Sequence, residues 1–87
     1  MHNSVLHNFD LEVRQIVADT TGVTIDSVYS DTALKSLFDG DDDTAYFWRA
    51  IESKFNWMAS QAQQENLSTV GAIVRELKLR ARVEANG

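Results

Sequence analysis

The chain has 87 residues, with no cysteine, no proline and only four glycines. A chain of this length builds one hydrophobic core, so we expect a single domain over residues 1–87 with its core at about residues 5–80. The lack of cysteine excludes disulfides, thiolate zinc sites and a cysteine nucleophile. The scarcity of helix-breaking residues favours an all-α fold.

The net charge of −5 is unevenly distributed. Residues 1–43 carry nine acidic and two basic side chains, whereas residues 44–87 carry four acidic and six basic ones. Because nucleic-acid phosphates repel an acidic protein, we expect no nucleic-acid binding and favour a basic protein surface as partner. No apolar run approaches the roughly 18 residues of a membrane span, and residues 1–4 lack the basic start of a secretion signal. We therefore expect a cytoplasmic monomer that does not insert into a membrane.

The first predicted element is an amphipathic helix over residues 4–20. Its apolar side chains recur on one face at helical spacing: Leu6, Phe9, Val13, Ile16 and Val17. Asn3 or Ser4 is the expected N-cap, and Gly22 lies where a left-handed glycine commonly ends a helix.

A long loop is predicted over residues 21–40, which show no sustained period and are rich in Thr, Ser, Asp and Gly. Loops of this length in small domains are usually functional. Four apolar residues recur through the segment and predict that it is held against the core: Val23, Val28, Leu34 and Leu37. Residues 34–38 are expected to form a short helical turn.

A second helix is predicted over residues 41–55. Four carboxylates surround its start, where the positive end of the helix dipole offsets part of their mutual repulsion: Asp39, Asp41, Asp42 and Asp43. The apolar side consists of Ala45, Phe47, Trp48, Ile51 and Phe55. We expect Trp48 to be more buried than Phe47. The spacing of Trp48, Ile51 and Phe55 predicts that these three side chains are buried together.

Two more helices complete the predicted fold. A short polar helix is expected over residues 60–66, and the last helix is expected to begin at residue 68 or 69. The apolar stripe of the last helix consists of Val70, Ile73, Val74 and Leu77. Arg80 and Arg82 lie toward its C-terminal end, where the helix dipole favours cations. A solvated helix end is favoured there over a phosphate contact.

Three short motifs accompany this outline of three long helices, one short helix and a long loop after the first helix. They are Leu-Lys-Ser-Leu at residues 34–37, Ala-Ile-Glu-Ser-Lys-Phe at residues 50–55 and Leu-Ser-Thr-Val-Gly at residues 67–71. Together with the apolar and glycine pattern of residues 13–28, they resemble the acyl carrier protein family over residues 9–80. The resemblance implies a four-helix bundle of the acyl-carrier type.

The resemblance breaks at the residue that carries the family's chemistry. In acyl carrier proteins the second helix begins with Asp-Ser-Leu, and the serine hydroxyl carries the 4′-phosphopantetheine arm. The family spacing places that serine 14 residues before Phe55, at Asp41. A carboxylate cannot accept the arm as a phosphodiester, so we expect no 4′-phosphopantetheine. Ser36 is an alternative attachment residue, but it lies 19 residues before Phe55 and would require an insertion in the second helix.

Acyl carrier proteins meet partner enzymes through the exposed side of helix two, largely through acidic residues. The matching positions here are Asp43, Tyr46, Arg49 and Glu52, with Asp39 and Asp42 beside them. Tyrosine and arginine commonly anchor protein interfaces, although an ordinary solvated surface would also contain them. The resemblance therefore implies a non-catalytic interaction module for an enzyme of acyl, fatty-acid or polyketide biosynthesis.

Two other functions remain open: a working acyl carrier modified at Ser36, and a small acidic cation-binding or scaffolding protein. The acidic residues have the first spacings of an EF-hand loop, but Thr44 and Ala50 replace its required glycine and bidentate glutamate. His2 and His7 lack convergent metal ligands in the sequence, so we expect no metal site. No set of nucleophile and base can be assembled, and we do not expect an enzyme.

Overall fold

The computed structural model describes the backbone of residues 8–86 and the side chains of residues 8–82. The elements are α1 (Phe9–Thr21), a 3₁₀ turn (Ile25–Ser27), α2 (Leu34–Leu37), α3 (Gly40–Phe55), α4 (Gln61–Asn66) and α5 (Val70–Asn86). Residues 8–86 contain no β-strand. Within this range, Ala33 and Thr69 form an isolated antiparallel β-bridge. The all-α prediction is confirmed. No helix within residues 8–86 has the length and apolarity needed to cross a bilayer.

Both ends of α1 are set by local hydrogen bonds. The Asn8 side chain accepts a hydrogen bond from the Leu11 N–H at 3.1 Å and caps the start. Gly22 ends the helix in the left-handed region at φ 83° and donates its N–H to the Ala18 carbonyl, as predicted. Asn8 thus caps α1 in place of the predicted Asn3 or Ser4, which lie outside the described residues together with Leu6.

The long loop is held against the core, as predicted, and it also bonds to the start of α5. Val28 and Leu34 are buried, while Val23 and Leu37 pack against the core from half-buried positions. The Leu34 N–H donates to the Ser68 carbonyl at 2.9 Å, and the Gly71 N–H donates to the Ser30 carbonyl at 2.8 Å. A Cβ on residue 71 would lie only 3.1 Å from the Ser30 carbonyl oxygen, so glycine permits this close approach.

The bounds of α3 follow the prediction within one residue. Gly40, its first residue, has a φ of 83°, and Asn56 ends the helix in the left-handed region at φ 55°. The Asp39 N–H is satisfied by the Asp43 side chain at 2.7 Å. This contact closes the first turn of the helix.

The two remaining helices begin within one or two residues of their predicted starts, α4 at Gln61 and α5 at Val70. Ser60 and Gln63 form a reciprocal capping box at the start of α4, with distances of 3.1 Å and 2.9 Å. The Thr69 hydroxyl accepts the Ala72 N–H at 3.2 Å in the first turn of α5. The predicted apolar stripe of α5 is entirely buried.

The core lies between the three longer helices, with α1 packed against both α3 and α5. Its fully buried side chains are Val13, Val17, Val28, Phe47, Ile51, Val70 and Ile73. Two core expectations are wrong. Phe47 is fully buried and Trp48 is 8% exposed, which reverses their predicted order. Phe55 is only half-buried because it ends α3 at the margin of the core, where its ring lies 5.7 Å from that of Phe9.

Candidate partner-binding surface on α3

The start of α3 carries an acidic cluster, which consists of Asp39, Asp41, Asp42 and Asp43. The first three residues are exposed, whereas Asp43 is half-buried and its carboxylate accepts the Asp39 N–H. The N-terminal end of the helix dipole favours negative charge at these positions. The cluster therefore presents a dense negative surface at one end of α3.

The partner face of α3 consists of Asp43, Tyr46, Arg49 and Glu52, which follow one another at a spacing of three residues. Tyr46 and Arg49 lie on the outer side of the helix, and half-buried Asp43 and Glu52 flank them. Tyr46 is 58% exposed, Arg49 is also exposed, and Glu52 is half-buried. Neither the Tyr46 nor the Arg49 side chain makes a hydrogen bond or an ion pair with another described residue. Their polar groups are therefore available to a partner without breaking an internal contact.

Exposure of the partner face follows from the register of the helix. Phe47 and Ile51 occupy the opposite side of α3 and are fully buried in the core. This leaves Tyr46 and Arg49 directed away from the core. The structure thus brings the sequence-predicted partner residues together on one helix, contiguous with the acidic cluster.

The residues at the start of α3 do not fit a phosphopantetheine arm. Asp41 is the second residue of the helix and supplies a carboxylate where the arm needs a hydroxyl. The nearest hydroxyl inside the helix, that of Thr44, lies 3.4 Å from the Gly40 carbonyl. No covalent chemistry of the arm can therefore be assigned to Asp41.

Ser36, the alternative attachment residue, belongs to a different element. It lies in the four-residue helix α2, and Phe38 and Asp39 separate that helix from α3. The Ser36 hydroxyl donates to the Ala33 carbonyl at 2.6 Å, and the side chain is exposed. The hydroxyl is therefore accessible, but it does not lie at the start of the long helix.

No group of three or more potential metal ligands from His, Cys, Asp and Glu comes together within the described part of the chain. In the acidic cluster, the Asp43 carboxylate is directed to the Asp39 N–H. His2 and His7 lie outside the described residues. The described residues of the acidic cluster therefore carry negative charge without a preformed set of metal ligands.

At the opposite end of α3 the structure shows a packing arrangement that the sequence reasoning missed. The Arg80 guanidinium lies 4.6 Å from the centroid of the Trp57 ring, and its Nε lies 3.2 Å from the Glu76 carboxylate. The four-residue spacing of Glu76 and Arg80 could have indicated the ion pair. The contact with Trp57 could not be found that way, because it joins residues on separate elements. Arg82 is exposed, as expected for a solvated helix end.

Comparison with protein-family models finds no match for this chain, and comparison with curated proteins finds none. The likeness to acyl carrier proteins rests on the quoted motifs and on the order of the predicted elements.

Proposed function

We propose that this protein is an acyl-carrier-like interaction module that binds a basic surface of an acyl, fatty-acid or polyketide biosynthetic enzyme. In this proposal it is not a catalyst and carries no 4′-phosphopantetheine. The observation that carries the proposal is the continuity of the acidic cluster with exposed Tyr46 and Arg49 on one helix. That helix has an aspartate where the family has its modified serine.

The two parts of the surface contribute differently to binding. The acidic cluster attracts a basic patch over a distance of about one Debye length and raises the association rate. Tyr46 and Arg49 supply large side chains of the types that most often dominate binding energy at interfaces. The cluster therefore orients the partner, and the two side chains hold it.

Asp41 gives the surface a further property. A loaded carrier has a phosphodiester, and hence a negative charge, at the start of its second helix. The Asp41 carboxylate places a permanent negative charge at the corresponding point, where the helix N-terminus stabilises it. A partner whose Arg or Lys binds that phosphate would therefore bind this protein as though it were always loaded.

The test begins with partner capture from cell extract and then measures the affinity of the purified partner. Asp41→Asn keeps the side-chain shape and removes one charge. We expect it to weaken binding by about 1 kcal/mol, or about fivefold, in the range of a charge-assisted hydrogen bond. Asp26→Asn is the matched control, since it removes the same charge from an exposed residue in the 3₁₀ turn.

Two further variants separate the possible failures. If Asp41→Asn binds as well as the parent while Tyr46→Ala or Arg49→Ala does not, recognition rests on the partner face and the loaded-state mimicry is wrong. If none of the three variants weakens binding, α3 is not the partner-binding surface and the proposed function fails.

A further inference from the structure

The outward side of α5 carries positive charge that no described residue neutralises. We call this surface the basic face; its exposed side chains recur at helical spacing over about 10 Å: Arg75, Lys78, Leu79 and Arg82. Its three cations make no ion pair or side-chain hydrogen bond with another described residue. Glu76, on the same helix, is half-buried and lies 3.2 Å from the Nε of Arg80. The three cations are therefore free to meet carboxylates from outside the chain.

The basic face and the acidic cluster are separated along the molecule. Shortly before α3, the Leu34 N–H donates to the Ser68 carbonyl, next to the start of α5, at 2.9 Å. Beyond the other end of α3, the centroid of the Trp57 ring lies 4.6 Å from the guanidinium of Arg80. The two helices therefore run in the same direction, with the acidic cluster at the start of α3 and the basic face in the middle and later turns of α5. Among the described residues, no ion pair joins the two surfaces within one chain.

The two charged surfaces are complementary. Asp39, Asp41 and Asp42 are exposed, so the acidic cluster presents three carboxylates to match the three cations of the basic face. An exposed apolar side chain accompanies each surface, because Leu79 is 48% exposed within the basic face and Tyr46 is 58% exposed one turn after the acidic cluster. The chain thus contains both halves of a contact that it cannot make with itself.

Other anionic partners match the basic face less well. The apolar stripe of α5 is buried in the core, so it cannot enter a bilayer beside the cations. The net charge of −5 repels nucleic-acid phosphates. An acidic protein surface remains, and the chain itself supplies one.

We propose that the basic face of one chain binds the acidic cluster of a second copy in a head-to-tail contact. Arg75, Lys78 and Arg82 pair with the exposed carboxylates of the other copy, and Leu79 packs against its Tyr46. The predicted monomer is then the state at low concentration. A copy bound in this way covers the acidic cluster and competes with any other partner of that surface. The contact needs no enzyme, so this proposal does not depend on the function proposed for α3.

Salt affects such a contact in two ways. Two copies with a net charge of −5 repel each other at long range, and an ionic strength of about 0.15 M limits that repulsion to about 8 Å. Contacts between the charged surfaces act at shorter distances and are screened strongly only at about 1 M, where the Debye length is about 3 Å. We therefore expect stronger association at about 0.15 M than at about 1 M.

Sedimentation equilibrium of the full chain measures the association. At about 0.15 M salt we expect the average mass to rise above that of the monomer, with a Kd of about 0.1–1 mM. The combined substitution Arg75→Gln, Lys78→Gln and Arg82→Gln should raise this Kd at least about fivefold. Lys35→Gln with Lys54→Gln is the matched control, because it neutralises two exposed cations outside α5 and should leave the Kd within about twofold.

Mixing two variants tests which surfaces meet. The first variant has the three glutamine substitutions on the basic face, and the second has Asp39→Asn, Asp41→Asn and Asp42→Asn. The second variant keeps Asp43, whose carboxylate accepts the residue 39 N–H. Neither variant alone has both surfaces, but a mixture contains the acidic cluster of the first and the basic face of the second. The mixture should form a 1:1 complex and grow no further, because a head-to-tail contact needs both surfaces on every copy to continue.

Nuclear magnetic resonance locates the contact in the mixture. When only the first variant is labelled with ¹⁵N, addition of the second should shift amide signals at the start of α3. When only the second is labelled, the shifts should lie along the basic face of α5. Labelled first variant with unlabelled first variant is the control and should show neither set of shifts.

The proposal is overturned if the native chain stays monomeric up to about 2 mM at about 0.15 M salt. It is also overturned if the variant without the three cations associates as strongly as the parent. Absence of mutual shifts in the mixture contradicts it, and mutual shifts confined to other parts of the chain would place the contact elsewhere and contradict it equally.

Discussion

At the residue scale, the proposed function depends most on Asp41, the second residue of α3. Asp41 is exposed and carries no hydroxyl, so it can present charge to a partner but cannot accept a phosphodiester. Ser36 has the hydroxyl, but lies on α2 with that hydroxyl bonded to the Ala33 carbonyl. The exposed hydroxyl of Ser36 and the position that the resemblance matches to the family's modified serine are therefore on different elements.

This separation predicts the outcome of a modification assay. We expect the purified protein to keep its unmodified mass when it is incubated with coenzyme A and a broad-specificity phosphopantetheinyl transferase. Intact mass spectrometry measures the result, and an active carrier protein in a parallel reaction shows that the transferase works. A gain of one phosphopantetheine would contradict the prediction, and loss of that gain in Ser36→Ala would then assign the site.

At the scale of the elements, short helices depend on their caps more than long ones do. Formation of α4 orders only six residues, too few to be stable as an isolated helix. None of those six residues is buried. The capping box of Ser60 and Gln63 closes the first turn of α4, and the half-buried side chain of Leu67 after the helix packs against the core.

We therefore expect Ser60→Ala to lower the free energy of unfolding by about 1 kcal/mol, the usual value for loss of an N-cap. Denaturation in urea, followed by circular dichroism, measures this change. Ser53→Ala is the matched control, since Ser53 is exposed on α3, and we expect its effect to stay within about 0.5 kcal/mol. Equal effects of the two substitutions would show that the capping box does not stabilise the protein.

At the scale of the whole molecule, the aromatic residues of α3 show how burial is distributed over the core. Phe47 is fully buried and lies 5.2 Å, centroid to centroid, from both Phe38 and Trp48. Phe55 is half-buried and contacts Phe9 at the margin. The cost of truncating each side chain should follow this order, because the loss depends on the buried area and on the cavity that remains.

We expect Phe47→Ala to cost about 3–5 kcal/mol of unfolding free energy, a large share of the stability of a small domain. Phe55→Ala should cost less, about 1–3 kcal/mol, because part of its ring already faces solvent. Thermal and urea denaturation of both variants give the comparison. A larger loss for Phe55→Ala than for Phe47→Ala would contradict the arrangement of the core described above.

The uneven charge of the molecule predicts how partner binding depends on salt. Residues 1–43 have a net charge of −7, and residues 44–87 have a net charge of +2. Raising the ionic strength from about 0.01 M to 0.15 M shortens the Debye length from about 30 Å to about 8 Å. We expect the association rate constant with a basic partner to decrease strongly and the dissociation rate constant to change less. Surface plasmon resonance measures both. A rate that does not depend on salt would exclude electrostatic steering by the acidic cluster.

The candidate surface on α3 could be predicted in part, since its residues follow one another along a single helix. The three-residue spacing from Asp43 to Tyr46 and Arg49 places them on one side of any helix that contains them. This side of the helix faces solvent because Phe47 and Ile51, on the other side, are buried in the core. The contact between Trp57 and Arg80 could not be predicted, because these residues lie on separate elements and meet only in the folded structure.

Local patterns in the sequence determined the helices and most of their ends. Gly22 and the Ser60 capping box act through hydrogen bonds within four residues, so they can be identified without knowledge of the fold. Only the tertiary structure decided which aromatic side chains are most buried and where charge and aromatic groups converge. The physical reason is that burial depends on where the helices cross: Phe47 faces the centre of the packing, whereas Phe55 lies at the end of α3.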